Sequence, residues 1–257
     1  MAIQLPENID LNRSGQYILV LEVQTEAFSF FLYNPDHPTE HFFYRFPVDK
    51  RFDAFSQFQE AFFDQALFTH SFRKIFILNR TPQFTYIPNI LFKEENKQAY
   101  MQFLFTSING RILHQTLSKP EMTVLHTLPE DVYGFLRRSF PEAPIVHYTA
   151  AAIAWCQEKE QWTDGNRMVI YRQPDGVNIL CFSRQQLLLC NHFPCQSPED
   201  AVYYAIYTYK QLNFSQLTDF IYLVQAEGEL QEKLSKYIQN VIPVQWEETE
   251  YYNQLLL

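Results

Sequence analysis

Two stretches of this chain, about 150 residues apart, carry the same order of elements, and no other feature restricts the fold as strongly. In the first, Tyr17 to Val23 is apolar and β-branched, and after the polar break Gln24-Thr25-Glu26 a second such run extends from Ala27 to Tyr33. The two read as a hairpin. A third strand is expected at Phe42 to Val48, after the proline-bracketed turn Asn34 to Thr39. Asp53 then opens a helix with Phe55, Phe58, Phe62 and Ala66 on one face, and Lys74 to Leu78 reads as a short buried strand.

In the second stretch, Arg167 to Arg172 and Val177 to Phe182 form a hairpin around Pro174-Asp175-Gly176, and Gln186 to His192 is the third strand. Ser197 caps the next helix, with Pro198 at its first position and Glu199-Asp200 complementing the dipole of its first turn. Val202, Ile206, Tyr209 and Leu212 are its expected buried face. Phe220 to Val224 is the next strand, Glu229 to Gln239 a helix and Val241 to Trp246 a closing strand. Between the two stretches lie a helix at Glu94 to Phe105, strands at Arg111 to Gln115 and Met122 to His126, and a helix at Pro129 to Ser139. A short strand at Ile145 to His147 and an alanine-rich helix at Tyr148 to Lys159 follow. The division of the chain is therefore expected as 1–164, a first half with an inserted α/β segment, and 165–257, a second half.

Composition excludes several classes of function. Of 257 residues, 20 are Lys or Arg against 29 Asp or Glu, a net charge of -9, so no basic stripe is available for phosphates and nucleic acid is not an expected partner. No run approaches about 18 consecutive apolar residues, and the Met1 to Asp10 segment lacks the basic start and apolar stretch of a secretory signal, which points to a cytoplasmic protein without membrane insertion. Cys156, Cys181, Cys190 and Cys195 form no Cys-x-x-Cys pair and read as reduced thiols. Only 6 glycines are present, which limits backbone-lined ligand loops, while 24 Phe and 16 Tyr favour strands, large cores and adhesive surfaces.

Three meander strands, a helix and a further strand, occurring twice, resemble the actin, sugar kinase and heat-shock ATPase superfamily, including the actin-like assembly proteins of pilus systems. More closely, the whole chain resembles an uncharacterised bacterial family, the domain of unknown function number 3822, which has an actin-like ATPase fold. The resemblance implies an α/β protein of duplicated actin-like (ribonuclease H-like) fold. Each half would hold a mixed sheet of three antiparallel meander strands plus parallel strands, flanked by helices.

In active members of that superfamily ATP lies between the halves, wrapped by the hairpin that begins each one. Glycine serves there because a Cβ would keep backbone amides from the phosphates, and a carboxylate at the end of the first strand holds the magnesium waters. The resemblance puts Glu22 in the place of that carboxylate and Gln24 in the place of the first glycine. Glu26 adds a second negative charge with no Lys or Arg in the turn to offset it. In the second hairpin, Tyr171 or Gln173 stands where the acid would be, Pro174 removes a donor, and Asp175-Gly176 reads as hairpin chemistry. The double glycine expected after the late strand is replaced by Gln225-Ala226-Glu227-Gly228.

Other motifs carry less. His37 and His41 flank a proline and precede Phe42-Phe43-Tyr44, which argues for turn and strand over a zinc site. Cys190 and His192 share a strand face, but Pro194 breaks the segment before Cys195 and no fourth ligand is near. No nucleophile elbow, Walker loop, dinucleotide glycine pattern or zinc-protease helix is present. Tyr203, Tyr204 and Tyr207 fall outside the core face of their helix, and together with Tyr251 and Tyr252 they are candidate anchors for a protein partner. The apolar end Leu255-Leu256-Leu257 is expected to pack on its own domain, a second copy being the other admissible receiver.

The first reading is therefore a non-catalytic scaffold, with no cofactor, no metal and a degenerate nucleotide site, that binds another protein; a homodimer is admissible. The alternative is a divergent Mg-ATP-binding protein or ATPase that uses Glu22, Gln24 and Thr25 with Asp175, Gly176 and Gly228.

Overall fold

The computed structural model describes residues 3–24, 27–49, 51–159, 165–173, 175–225 and 228–256; Thr25, Glu26 and Pro174 of the two hairpin turns lie outside them. In chain order, β1 (Ile18–Gln24), β2 (Ala27–Asn34), β3 (His37–Arg45), α1 (Ala54–Phe63), β4 (Lys74–Asn79), β5 (Phe84–Pro88) and α2 (Lys97–Leu104) come first. Then follow β6 (Arg111–Leu117), β7 (Met122–Leu128), α3 (Glu130–Ser139), β8 (Ile145–His147) and α4 (Tyr148–Glu158). The remainder holds β9 (Asn166–Gln173), β10 (Gly176–Ser183), β11 (Gln186–Pro194), α5 (Pro198–Gln211), β12 (Phe220–Val224), α6 (Gly228–Leu234), β13 (Asn240–Val244) and α7 (Glu248–Asn253).

Contacts divide the chain into two compact units, one of Met1–Thr116, Thr123–Ala151 and Tyr252–Leu257, the other of Leu117–Met122 and Ala152–Tyr251. Chain order places the boundary at 164/165; by contacts it falls at 151/152, inside α4, and the last residues return to the first unit. Each unit has a five-stranded mixed sheet, ordered β3-β2-β1-β4-β8 in the first and β11-β10-β9-β12-β13 in the second. In both, an antiparallel meander is extended by two parallel strands. The first unit also carries the three-stranded sheet β5-β7-β6.

The first unit's central strand is apolar along nearly its whole length because both faces are covered. Leu19, Leu21 and Val23 face a core built with Phe58 and Phe62 of α1 and Val132, Phe135 and Leu136 of α3. Strand alternation sends Glu22 to the opposite face. Phe28 stacks on Phe58 at 4.1 Å, and the Phe46 and Phe135 rings meet Phe58 edge-on at 5.1 and 5.8 Å. Part of the abundance of phenylalanine is thus gathered around one helix.

In the second unit, Ala201, Ala205, Thr208 and Tyr209 of α5 are buried, whereas Val202, Ile206 and Leu212 pack at the margin of the core. Ala201, Ala205 and Thr208 thus take the inner positions beside Tyr209, one position before the expected Val202, Ile206 and Tyr209. Other elements differ locally in their bounds. β3 begins at His37, so His41 and His37 are both strand residues; Ala66 begins a separate 3-10 turn; and α6 stops at Leu234. β5 and α7 arise from segments without periodicity strong enough to announce them.

Phe58→Ala is expected to cost about 3–5 kcal/mol in urea denaturation, because four aromatic neighbours cannot close the space. The matched change at Phe103, which is 88% exposed, is expected to stay within about 0.5 kcal/mol.

Candidate functional site

The carboxyl ends of the parallel strands β1, β4 and β8 bring together polar side chains that an α/β sheet ordinarily presents to a ligand. Glu22 pairs in register with Leu78, one position before Asn79, which lies opposite His147. Glu22 is 3% exposed. Its Oε1 accepts from Arg80 Nε at 3.0 Å and Nη2 at 2.7 Å, and from the Tyr252 hydroxyl, while Oε2 accepts from Ser29 Oγ at 2.8 Å. Burial by itself pushes this carboxyl up, but the Arg80 guanidinium and the hydrogen bonds from Tyr252, Arg80 and Ser29 outweigh burial and hold it below the usual range. It is therefore an ionised acceptor of four hydrogen bonds.

A second network adjoins it. Asn79 Nδ2 donates to His126 Nδ1 at 2.7 Å and to the Thr127 carbonyl at 2.8 Å, and Asn79 Oδ1 accepts from Thr81 N. His147 Nε2 donates to the Thr81 carbonyl at 3.1 Å, which leaves Nδ1 to accept from Thr149 Oγ1 at 2.6 Å, and the Tyr86 hydroxyl, 2.8 Å from that oxygen, completes the chain by donating to it. The two histidine rings are 5.1 Å apart and both residues are fully buried. Burial, then the neighbouring His114, lowers His126 to about 3; burial, then His126, drives His147 well below its ordinary value. Both rings are neutral hydrogen-bonding groups at pH 7.

The other residues named from the sequence divide by environment. Gln24 ends β1 and is half-buried, lining a first-unit cleft of about 350 Å³ that includes Thr81 and Thr127. Asp175 is exposed and lies 3.6 Å from His192 Nε2. Gly176 faces β11 so closely that a Cβ would stand 2.1 Å from the Phe193 carbonyl oxygen, so strand pairing demands this glycine. Gly228 opens α6 with open space where a Cβ would lie. The structure brings Glu22 to Arg80 and Ser29, which are not among the residues named from the sequence, and to Tyr252, which is named there for a different role. The polar triplet Asn79-Arg80-Thr81 at the end of a buried strand was the available signal; nothing local marks Tyr252.

Of the five tyrosine anchors, two are corrected. Tyr251 and Tyr252 are 2% and 3% exposed, because α7 turns them inward: Tyr251 packs on Trp246 at 4.5 Å, and Tyr252 stacks on Phe31 at 4.7 Å. Tyr204 is half-buried against Phe193, whereas Tyr203 and Tyr207 are 62% and 53% exposed. At the chain end Leu255 is half-buried and Leu256 exposed, and Leu257 lies outside the described residues. The four cysteines are free thiols; burial pushes Cys156 up to about 12 and raises Cys181 further. Among the described residues no group of three or more His, Cys, Asp or Glu is placed to hold a metal, and no helix is long and apolar enough to cross a membrane.

Two units built on one sheet order, a meander extended by parallel strands, define a protein of actin-like ATPase fold. The chain belongs to the family described as protein of unknown function DUF3822, whose model matches residues 6–241. It is similar to a Bacteroides thetaiotaomicron protein with actin-like ATPase fold and unknown function, at 28% identity and a TM-score of 0.82 over 92% of this chain and 93% of that one. A chain of a PilM-PilN type IV pilus biogenesis complex shares the fold at 13% identity and a TM-score of 0.53, with 88% of each covered. Among curated proteins none matches.

Arg80→Met is expected to destabilise the protein by about 3–5 kcal/mol in chemical denaturation, since it strands a buried carboxylate, and Glu22→Gln in the same chain should recover part of that loss. Glu22, held below its ordinary value, stabilises above that value and ceases to do so as pH falls through its depressed one. The histidines act higher: between pH 6 and 5 the unfolded chain takes up protons that the native rings refuse, so stability should fall by up to about 1.4 kcal/mol per pH unit for each. Urea midpoints measured at pH 7, 6 and 5 check this, and His126→Asn should flatten the profile.

Proposed function

We propose that this protein is a non-catalytic actin-like scaffold that binds another protein and does not use a nucleotide. The observation that carries the reading is the engagement of Glu22, which the resemblance puts where the fold's ATPases keep a magnesium-associated carboxylate: four hydrogen bonds from Arg80, Tyr252 and Ser29 hold it. Magnesium waters would have to break an ion pair with 4% exposure on the acid side and 13% on the arginine side. Two further features support it. The glycine of the second hairpin answers to the Phe193 carbonyl, and both buried histidines are neutral, His147 bonded through both ring nitrogens and His126 through Nδ1. The pilus-biogenesis relative is described as one member of a two-protein complex, and that mode of action is brought to this chain as part of the proposal.

A ligand that binds only the native state stabilises by RT ln(1 + [L]/Kd), about 2.7 kcal/mol at a hundredfold excess over Kd. The purified protein is expected to show no change in melting temperature with 5 mM Mg-ATP, about the concentration at which a 50 µM site would reach that excess. It is also expected to show no phosphate release. A reproducible upward shift that Glu22→Gln abolishes would retire the proposal.

A further inference from the structure

The outward side of α5 and the segment around α6 enclose a groove of about 620 Å³ within the second unit. Val202 and Ile206 form its floor, their other sides packed on the core. Tyr203 and Tyr207, stacked at 6.0 Å, and Tyr237 form its walls, the three rings being 62%, 53% and 54% exposed. Lys210, Lys233 and Lys236 stand at its rim. Residues 203, 207 and 210 are spaced to fall on one helical stripe. From Glu199 to Lys210 that stripe runs about 16 Å at 1.5 Å per residue, the length of three helical turns in a partner.

The charge of this groove is opposite to that of the chain. The protein carries a net charge of -9, yet three ammonium groups line the groove against one lining carboxylate, Glu199. Glu199 and Glu229 are already engaged by Lys233, while Lys210 and Lys236 have no ion-pair partner among the described residues. Exposed tyrosines bury large areas at small entropic cost, and unpaired lysines beside them reward a carboxylate at the edge of the contact. Three lysines neutralise too few phosphates to hold an extended polyanion against the charge of the whole molecule.

We infer that this groove is the docking site for a short acidic amphipathic segment of a partner protein, with aromatic or aliphatic anchors between the tyrosines and Asp or Glu beside Lys210 and Lys236. The inference rests on the protein-binding reading above and names the surface and the chemistry of its partner.

A phage-displayed library of random dodecapeptides, selected on the full-length protein, tests it. The enriched peptides should carry two or more Asp or Glu around an apolar pair. Their affinity should fall at least tenfold in Tyr207→Ala and in the Lys210→Glu/Lys236→Glu double variant, with melting temperatures unchanged. Selection repeated on the double variant should return basic peptides. Absence of enrichment, or peptides indifferent to these substitutions, overturns the inference. So does tighter, lysine-dependent binding of a twenty-nucleotide oligo(dT) or of phosphatidylserine vesicles. A wild-type dimer that the double variant converts to monomer in light scattering also overturns it, by making the occupant a second copy. A failed selection without a Mg-ATP shift sinks this surface alone, whereas a Mg-ATP shift sinks the non-catalytic reading whatever the peptides show.

Discussion

A carboxylate buried in the middle of a sheet must be matched or the unit does not fold, and the first unit is arranged around meeting that demand for Glu22. Desolvating an isolated carboxylate costs several kcal/mol even after relaxation, more than most single contacts return. The unit answers with a guanidinium from the end of β4, a hydroxyl from β2 and a phenol from α7. The last helix contributes Tyr252 to the first unit because the acid near the beginning of the chain needs it. Glu22 is thereby a structural node of the first unit.

Around that node the chain spends aromatic residues where many α/β proteins spend glycines and aliphatics. The first unit's core is a continuous set of ring contacts centred on Phe58, Phe62 and Phe135. In the second unit Trp155, Tyr171, Trp246 and Tyr251 form a smaller set, with Trp155 Nε1 donating to Glu250. Rings fill volume with few rotamers, so they hold strands and helices in place without close backbone approach. Gly176, where β11 comes within reach of a missing Cβ, shows the alternative: a close approach that no side chain permits.

The parts of this arrangement legible in the sequence are those set by neighbours in the chain. Both hairpins, the N-cap at Ser197 and the shared strand face of Cys190 and His192 follow from spacing, and the register of β10 with β11 places Leu180 and Asn178 opposite those two residues. The exposed pair Tyr203 and Tyr207 is readable from helical spacing in the same way. Tyr251 and Tyr252 are not, since their surroundings come from Trp246 and from Phe31, and the segment that holds them has no periodicity of its own. The guanidinium that pairs with Glu22 stands 58 positions away, just past the neighbouring strand, where no local pattern marks it.

By itself the sequence determined the order of elements, their repetition, the scarcity of glycine and a net charge of -9. These depend on local spacing and on summed charge, which need no coordinates. The tertiary structure decided what the acid on β1 does, that His126 and His147 are neutral and paired with Asn79, Thr81 and Thr149, which tyrosines stay exposed, and that lysines from two segments meet across one groove. Each of those depends on strand order and helix placement bringing together residues tens to hundreds of positions apart, and no periodicity along a chain records distance across it.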